Sequence, residues 1–203
     1  MQGRVGDDPA VALRELLIDT AEKLLAERQV SAITTRDIAR AAGVSDGVLY
    51  NYFSDKYELL VAALVRRYEA SLERFGADLP AAGTATVEEN LNTYLRAALE
   101  LVTTTLPAVS GLMSEPALLH RFIAAMHTEP LGPYRLHQPI ADYLGAERRL
   151  GRLGDFDEES ALSLVVGPAM VLGIAHVVGG RAPEELAGQI PGIVRTLLNG
   201  LQP

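Results

Sequence analysis

The residues around Gly43 have the types and spacing for chemistry, and that chemistry is recognition of a duplex rather than bond-making. With Leu49 at the centre of an inward helical face and an advance of ~100° per residue, Gly47 and Asn51 point nearly straight out. Val48 and Tyr50 lie on the outer flanks, and Asp46, Tyr52 and Phe53 fall within about 60° of inward. An outward face of Gly, Val, Tyr and Asn can approach a major groove closely. Asn pairs bidentately with adenine, and Val meets a thymine methyl. The tyrosine hydroxyls, Lys56, Thr35 and Arg36 suit phosphate oxygens, which position a protein without reading sequence. Asp46 suits the positive end of a helix dipole but repels phosphate, and it can accept from cytosine N4.

Other chemistries lack comparable support. The 203 residues contain no Cys, which removes disulfides, thiolate nucleophiles and Cys-ligated zinc together and fits a reducing cytoplasm. His120, His127 and His137 do not form the i, i+4 pair of a helical metal site, so neither metal nor cofactor is expected. Ser110-Gly111 lacks the preceding Gly of a nucleophile elbow. Asp157-Glu158-Glu159 reads as a negatively charged helix start. An enzyme is therefore not expected. Lys+Arg number 18 against 26 Asp+Glu, a net charge of −8, so any contact with nucleic acid must be local. Between Thr34 and Lys56, Arg36, Arg40 and Lys56 balance Asp37, Asp46 and Asp55. Counterion release from one such unit is small, so tight binding needs two units on one duplex.

The elements that must position these residues are helices. Apolar residues recur at three- and four-residue spacing almost throughout, which predicts an all-α chain of about nine helices. The first is expected over 9–28, capped by Asp8 with Pro9 at its first position, with Leu13, Leu16, Leu17, Ala21, Leu24 and Leu25 inward. Thr34 and Asp37 form a short-armed capping box for a helix over 35–42, ended by Gly43. Ser45 can cap a third helix over 46–52. Asp55 and Glu58 form a full box for a fourth, with Leu59, Leu60, Ala63, Leu64, Tyr68, Leu72 and Phe75 inward. Residues 77–86 read as a loop. Helices are expected over 87–105 (stopped by Pro107), 114–126, 140–150, 158–178 and 183–199, with 128–139 as loop or broken helix and 151–157 as a turn. The division by chain order is a reading unit over 1–54, a connecting helix over 55–76 and a larger unit over 77–203. The first twenty residues lack the uncharged apolar core of a signal peptide.

Two short helices joined at a Gly-containing turn make a helix-turn-helix. Residues 34–60, TTRDIARAAGVSDGVLYNYFSDKYELL, resemble the DNA-binding region of the TetR family of transcriptional regulators, and the flanking helices extend the resemblance over 12–68. That family places DNA contacts at positions matching Thr35, Arg36, Ser45, Gly47, Val48, Tyr50, Asn51, Tyr52 and Lys56. Asp46, Val48 and Tyr52 depart from its common Lys, Thr and His. The resemblance implies a cytoplasmic homodimer, most often a repressor, that binds a palindromic double-stranded DNA operator and is released by a small effector in a carboxy-terminal chamber. A regulator that senses no ligand, acting as an activator or through a partner protein, stays open.

The carboxy-terminal part is less diagnostic. Tyr94, Met113, Phe122, Met126, Tyr134, Tyr143, Met170 and His176 are the residues expected to line a pocket for a small apolar molecule. The last two helices, apolar beyond one buried stripe, are expected to pair between copies. Residues 160–180 carry no Lys, Arg, Asp or Glu and are long enough to span a membrane. Pro168, His176, Ser163, four glycines and the lack of a second span favour a buried helix over a membrane one.

Overall fold

The computed structural model describes residues 9–128, 132 and 134–200. The chain is all-α, with no strand among the described residues: α1 (Pro9–Glu27), α2 (Thr35–Ala42), α3 (Asp46–Tyr50), α4 (Lys56–Ala77), α5 (Val87–Leu112), α6 (Pro116–Thr128), α7 (Tyr134–Arg149), α8 (Glu158–Gly179), α9 (Pro183–Ala187) and α10 (Ile190–Asn199), with one turn of 3-10 helix at Val30–Ala32. The expected cap Asp8 lies outside the described residues.

Packing divides the chain into two compact units, Met1–Glu69 with Ala108–Glu129, and Ala70–Pro107 with Pro130–Pro203. The first buries Leu17, Ala21 and Leu24 of α1, Ile38 of α2, Leu49 of α3 and Leu59, Leu60 and Leu64 of α4 in one core. Leu112, Leu118 and Phe122 from far along the sequence complete that core. Leu16, expected inward, is 43% exposed, and Ile18 is buried instead. Burying each such side chain stabilises by about 1.5–3 kcal/mol. The second unit buries Leu91, Tyr94, Leu95, Ala98 and Val102 of α5 as their spacing predicts, with Ile140 and Tyr143 of α7, Val165 and Leu172 of α8 and Val194 of α10.

Three expectations about helix bounds need correction. Pro107 does not stop α5, which continues to Leu112, and Pro139 lies inside α7 rather than in a loop. An interior proline costs about 3 kcal/mol. The burial of Ile140, Tyr143 and Leu144 past the second exceeds that, and the burial of Leu112 past the first offsets much of it. The single helix expected over 183–199 is divided into α9 and α10. Pro191 sits in the first turn of α10, where its missing N–H is harmless; a continuous helix would need that N–H for the Ala187 carbonyl.

Candidate nucleic-acid interface

The bend is built as its letters imply. Thr34 accepts from the Asp37 N–H at 3.1 Å and the Asp37 carboxylate accepts from the Thr34 N–H at 3.1 Å, so the short-armed box closes in both directions. Asp37 also accepts from Arg40 at 2.6 Å. The Thr34 hydroxyl and N–H, then Arg40, hold the Asp37 carboxyl below its ordinary range. Gly43 ends α2 at φ 72° and ψ 26°, the left-handed conformation that a Cβ resists.

Leu49 and Phe53 are buried at 0% and 1% exposure, and Tyr52 is half-buried against the same core, as the 100° geometry requires. Gly47 and Asn51 are exposed, Tyr50 is 54% exposed, and Val48 is half-buried on the flank. The helix itself is shorter than expected. The N–H groups of Tyr52 and Phe53 both reach the Leu49 carbonyl, at 3.1 Å, as the chain tightens toward the next cap. Ser45 occupies the N-cap position with extended backbone, but its side chain makes no cap bond, contrary to expectation. A Cβ built on Gly47 would meet only Ser45 Oγ, at 4.0 Å, so nothing within the chain demands glycine there.

The basic side chains of this segment have internal partners. Arg36, 83% exposed, has its Nε 3.8 Å from Asp46, and Arg40 pairs with Asp37. Lys56 donates to the Ile33 carbonyl at 3.0 Å and lies 5.2 Å from the centre of the Tyr57 ring. Thr35 is half-buried at the start of α2.

Sequence spacing missed the groups that meet the first turn of α4. Asp55 caps Glu58 N–H at 2.9 Å, but Glu58 returns to Ser54, through its N–H and hydroxyl at 2.7 Å, rather than to Asp55. The Asp55 carboxylate also accepts from Arg121 of α6, at 2.8 and 2.7 Å. Tyr57 donates to Glu115 at 3.0 Å, and the Arg121 guanidinium stands 5.7 Å from its ring. No local signal reveals partners 58 and 66 residues apart in sequence.

The residues expected around an effector are dispersed. Tyr94 and Tyr143 come together in the second unit, ring centres 4.8 Å apart, beside an open groove of about 400 Å3. Met170 is 41% exposed on α8, and the His176 ring nitrogen Nδ1 meets the Arg181 carbonyl at 2.8 Å near the end of that helix. In the first unit Phe122 is buried in the core, Met126 packs against it, and Met113 is 72% exposed. The side chain of Tyr134 lies outside the described residues.

The helix expected to be buried all round is buried on one face only. Leu164, Val171, Ile174 and Val178 of α8 are 59%, 67%, 52% and 82% exposed. It is the one helix among the described residues long and apolar enough to cross a membrane, and its outer face is left uncovered by the described residues.

Comparison with known proteins meets this geometry at the same residues. Residues 17–63 match the model of the family described as bacterial regulatory proteins, tetR family. The transcriptional regulator EthR of Mycolicibacterium smegmatis is 23% identical across 98% of this chain and 89% of its own length. A TetR-family regulator of Mesorhizobium loti superposes with a TM-score of 0.73 at 17% identity, over 95% of this chain and 98% of that one. The regulator FadR of Bacillus subtilis, solved with stearoyl-CoA, superposes at 0.63 and 19% identity, over 93% of this chain and 99% of that one. The matched segment contains the whole glycine bend and the outward face of α3. Residues 17–63 are therefore a DNA-binding region of the kind found in the tetR family of bacterial regulatory proteins, carried on a fold shared with TetR-family regulators.

Proposed function

We propose that the protein is a homodimeric repressor that acts in the cytoplasm, binds a near-palindromic operator and leaves it when a small, largely apolar effector binds the second unit. The observation that carries this reading is the outward face of α3. Gly47, Tyr50 and Asn51 are exposed while Leu49 and Phe53 anchor the helix from behind. Asn51 reads a base edge; Tyr50, Arg36, Thr35, Ser45 and Lys56 meet phosphates; Val48 and Asp46 contact neighbouring bases, with Tyr52 steadying the turn.

The dimer is supported by α8 and α10. The exposed Leu164, Val171, Ile174 and Val178 share one helical face. Beside it a groove of about 720 Å3 runs along Leu164, Pro168, Ile193 and Leu197. Two copies of each helix would cover these faces as a four-helix interface. The paired α3 helices would then enter successive major grooves, ~34–36 Å apart.

The effector site is supported by the groove beside Tyr94 and Tyr143, whose other walls include Leu79, Pro80 and Pro139. The fold shared with a regulator solved with stearoyl-CoA favours an apolar ligand body. Release needs a coupling of ~1–3 kcal/mol between the sites. Regulation through a partner protein is the second reading, favoured by the space bounded by Ser71, Phe75 and Leu101, which holds about 20 Å3 and so about one water. Selection of bound fragments from random duplex DNA, repeated with apolar compounds, tests the proposal. A palindromic consensus lost on adding a compound supports it; the absence of any sequence preference overturns it.

A further inference from the structure

Each acid of the recognition segment stands beside a cation. Asp37 pairs with Arg40 at 2.6 Å and Asp46 with Arg36 at 3.8 Å, both within the segment. Asp55 differs. The adjacent Lys56 reaches the Ile33 carbonyl instead, at 3.0 Å, and the cation at Asp55 comes from α6. Arg121 donates through Nη1 to both carboxylate oxygens, at 2.8 and 2.7 Å. The same guanidinium stands 5.7 Å from the centre of the Tyr57 ring, and Lys56 stands 5.2 Å from it. Tyr57 donates to Glu115 at 3.0 Å, which ties that ring to the start of α6. The fold does not depend on the ion pair. Leu118 and Phe122, buried at 0% and 4% exposure, already dock α6 in the core of the first unit. The Arg121 and Asp55 side chains are 47% and 41% exposed, and an ion pair so open to water contributes little to stability. Asp55 serves the start of α4 by accepting from the Glu58 N–H at 2.9 Å, which an asparagine oxygen can also do. What Arg121 alters is charge: it cancels a half-exposed carboxylate beside Lys56, whose ammonium has donors left for a phosphate.

We propose that Arg121 is a positioning residue for DNA binding that lies outside the recognition segment: by cancelling the Asp55 charge it lets a duplex phosphate settle against Lys56. The inference rests on the reading of that segment as the DNA-binding surface and adds to it a residue of α6. Arg121 acts through Asp55 and holds no phosphate itself. Left uncancelled, a carboxylate ~7 Å from a phosphate lowers affinity about fivefold at low salt, and by less once salt screens the repulsion.

Fluorescence anisotropy of a short labelled duplex of mixed sequence, titrated with the full chain at low and at moderate salt, tests this, because binding without sequence preference is carried by charge. Arg121→Gln is expected to lower affinity about fivefold at low salt, with the loss shrinking as salt rises. Asp55→Asn keeps the cap and should bind as well as the parent chain or better. The double variant should return to within about twofold of the parent. A structural role for the ion pair would not allow that recovery, since the pair is missing there too. Arg121→Lys keeps the charge without the double contact and should bind like the parent. Thermal melting reads the fold of each variant. The inference is overturned by an Arg121→Gln chain that binds like the parent or does not fold, or by an Asp55→Asn chain that binds more weakly. A double variant as weak as Arg121→Gln alone also overturns it, and would show Arg121 holding phosphate itself. A parent chain that binds no duplex refutes the DNA reading and the inference with it, whereas binding without rescue refutes the inference alone.

Discussion

Gly47 and Asn51 share the outward face of α3, and the proposed reading gives them different work. Nothing within the chain opposes a Cβ at Gly47, so Gly47→Ala should leave the melting temperature unchanged or raise it, since Ala is favoured over Gly by up to about 1 kcal/mol within a helix. Operator affinity should fall, because the added methyl stands where the duplex must approach. A variant with lowered stability and unchanged operator binding would show that this glycine serves the fold. Asn51→Ala should relax preference at one base pair by ~1–3 kcal/mol, whereas Tyr50→Ala should weaken all duplexes alike; a scan of operator substitutions with each variant separates the two. The outward face was legible because one buried residue, Leu49, phases the whole turn. Ser45 was less so: a hydroxyl before a helix predicts a cap, and only the realised geometry shows that its side chain makes none.

Among the elements, α8 is constrained on its inner face in a way its letters conceal. A Cβ on Gly173 would collide with Cγ1 of Val102 on α5, a side chain too short and branched to move aside. Gly173→Ala should therefore destabilise by about 1–3 kcal/mol, despite the better helix propensity of Ala. For a chain of this size that lowers the melting temperature by roughly 2–4 °C per kcal/mol. Val102→Ala should recover part of the loss when combined with it, although alone it leaves a cavity; additive losses in the double variant would refute the close approach. A composition scan sees Gly173 as one of several glycines in an apolar run, because the crowding comes from a helix some seventy positions away. The same reason explains why Pro107 and Pro139 misled: proline has a fixed local cost, while the burial that offsets it, at Leu112 and at Ile140, Tyr143 and Leu144, is set by the tertiary partner. The capping signal at Thr34–Asp37 was legible because donor and acceptor lie three residues apart, whereas Glu58 closes on Ser54 rather than on the expected Asp55.

For the molecule as a whole, charge decides both where it is stable and how it holds DNA. Asp37, Glu58, Glu89 and Asp157 have their carboxyls held below the ordinary range by Thr34, Ser54, Thr86 and Ser160 respectively. At Asp55 burial acts upward, but the Glu58 N–H and Arg121 outweigh it. A lowered folded pKa contributes stability that is fully present above the unfolded value and is lost as pH falls through the folded one. The denaturation midpoint should therefore drop below pH about 4 on this account, and Thr86→Val should make the fall shallower. An unchanged midpoint down to pH about 3 would refute it. On DNA the three basic residues of the recognition segment all have protein partners, Asp46, Asp37 and the Ile33 carbonyl. At most six such cations in a dimer release counterions, so log K against log salt should slope at about −5 or less steeply. A slope steeper than about −8 would show that other basic residues carry the binding. If each half holds DNA that weakly, splitting the proposed dimer should be as damaging as removing the reading face. Val171→Glu, on the exposed face of α8, should give a folded monomer whose operator affinity falls by orders of magnitude, toward that of a single half-site. Sedimentation and operator titration on the same sample check both halves of that expectation, and a Val171→Glu chain that stays dimeric and binds as before would move the interface elsewhere.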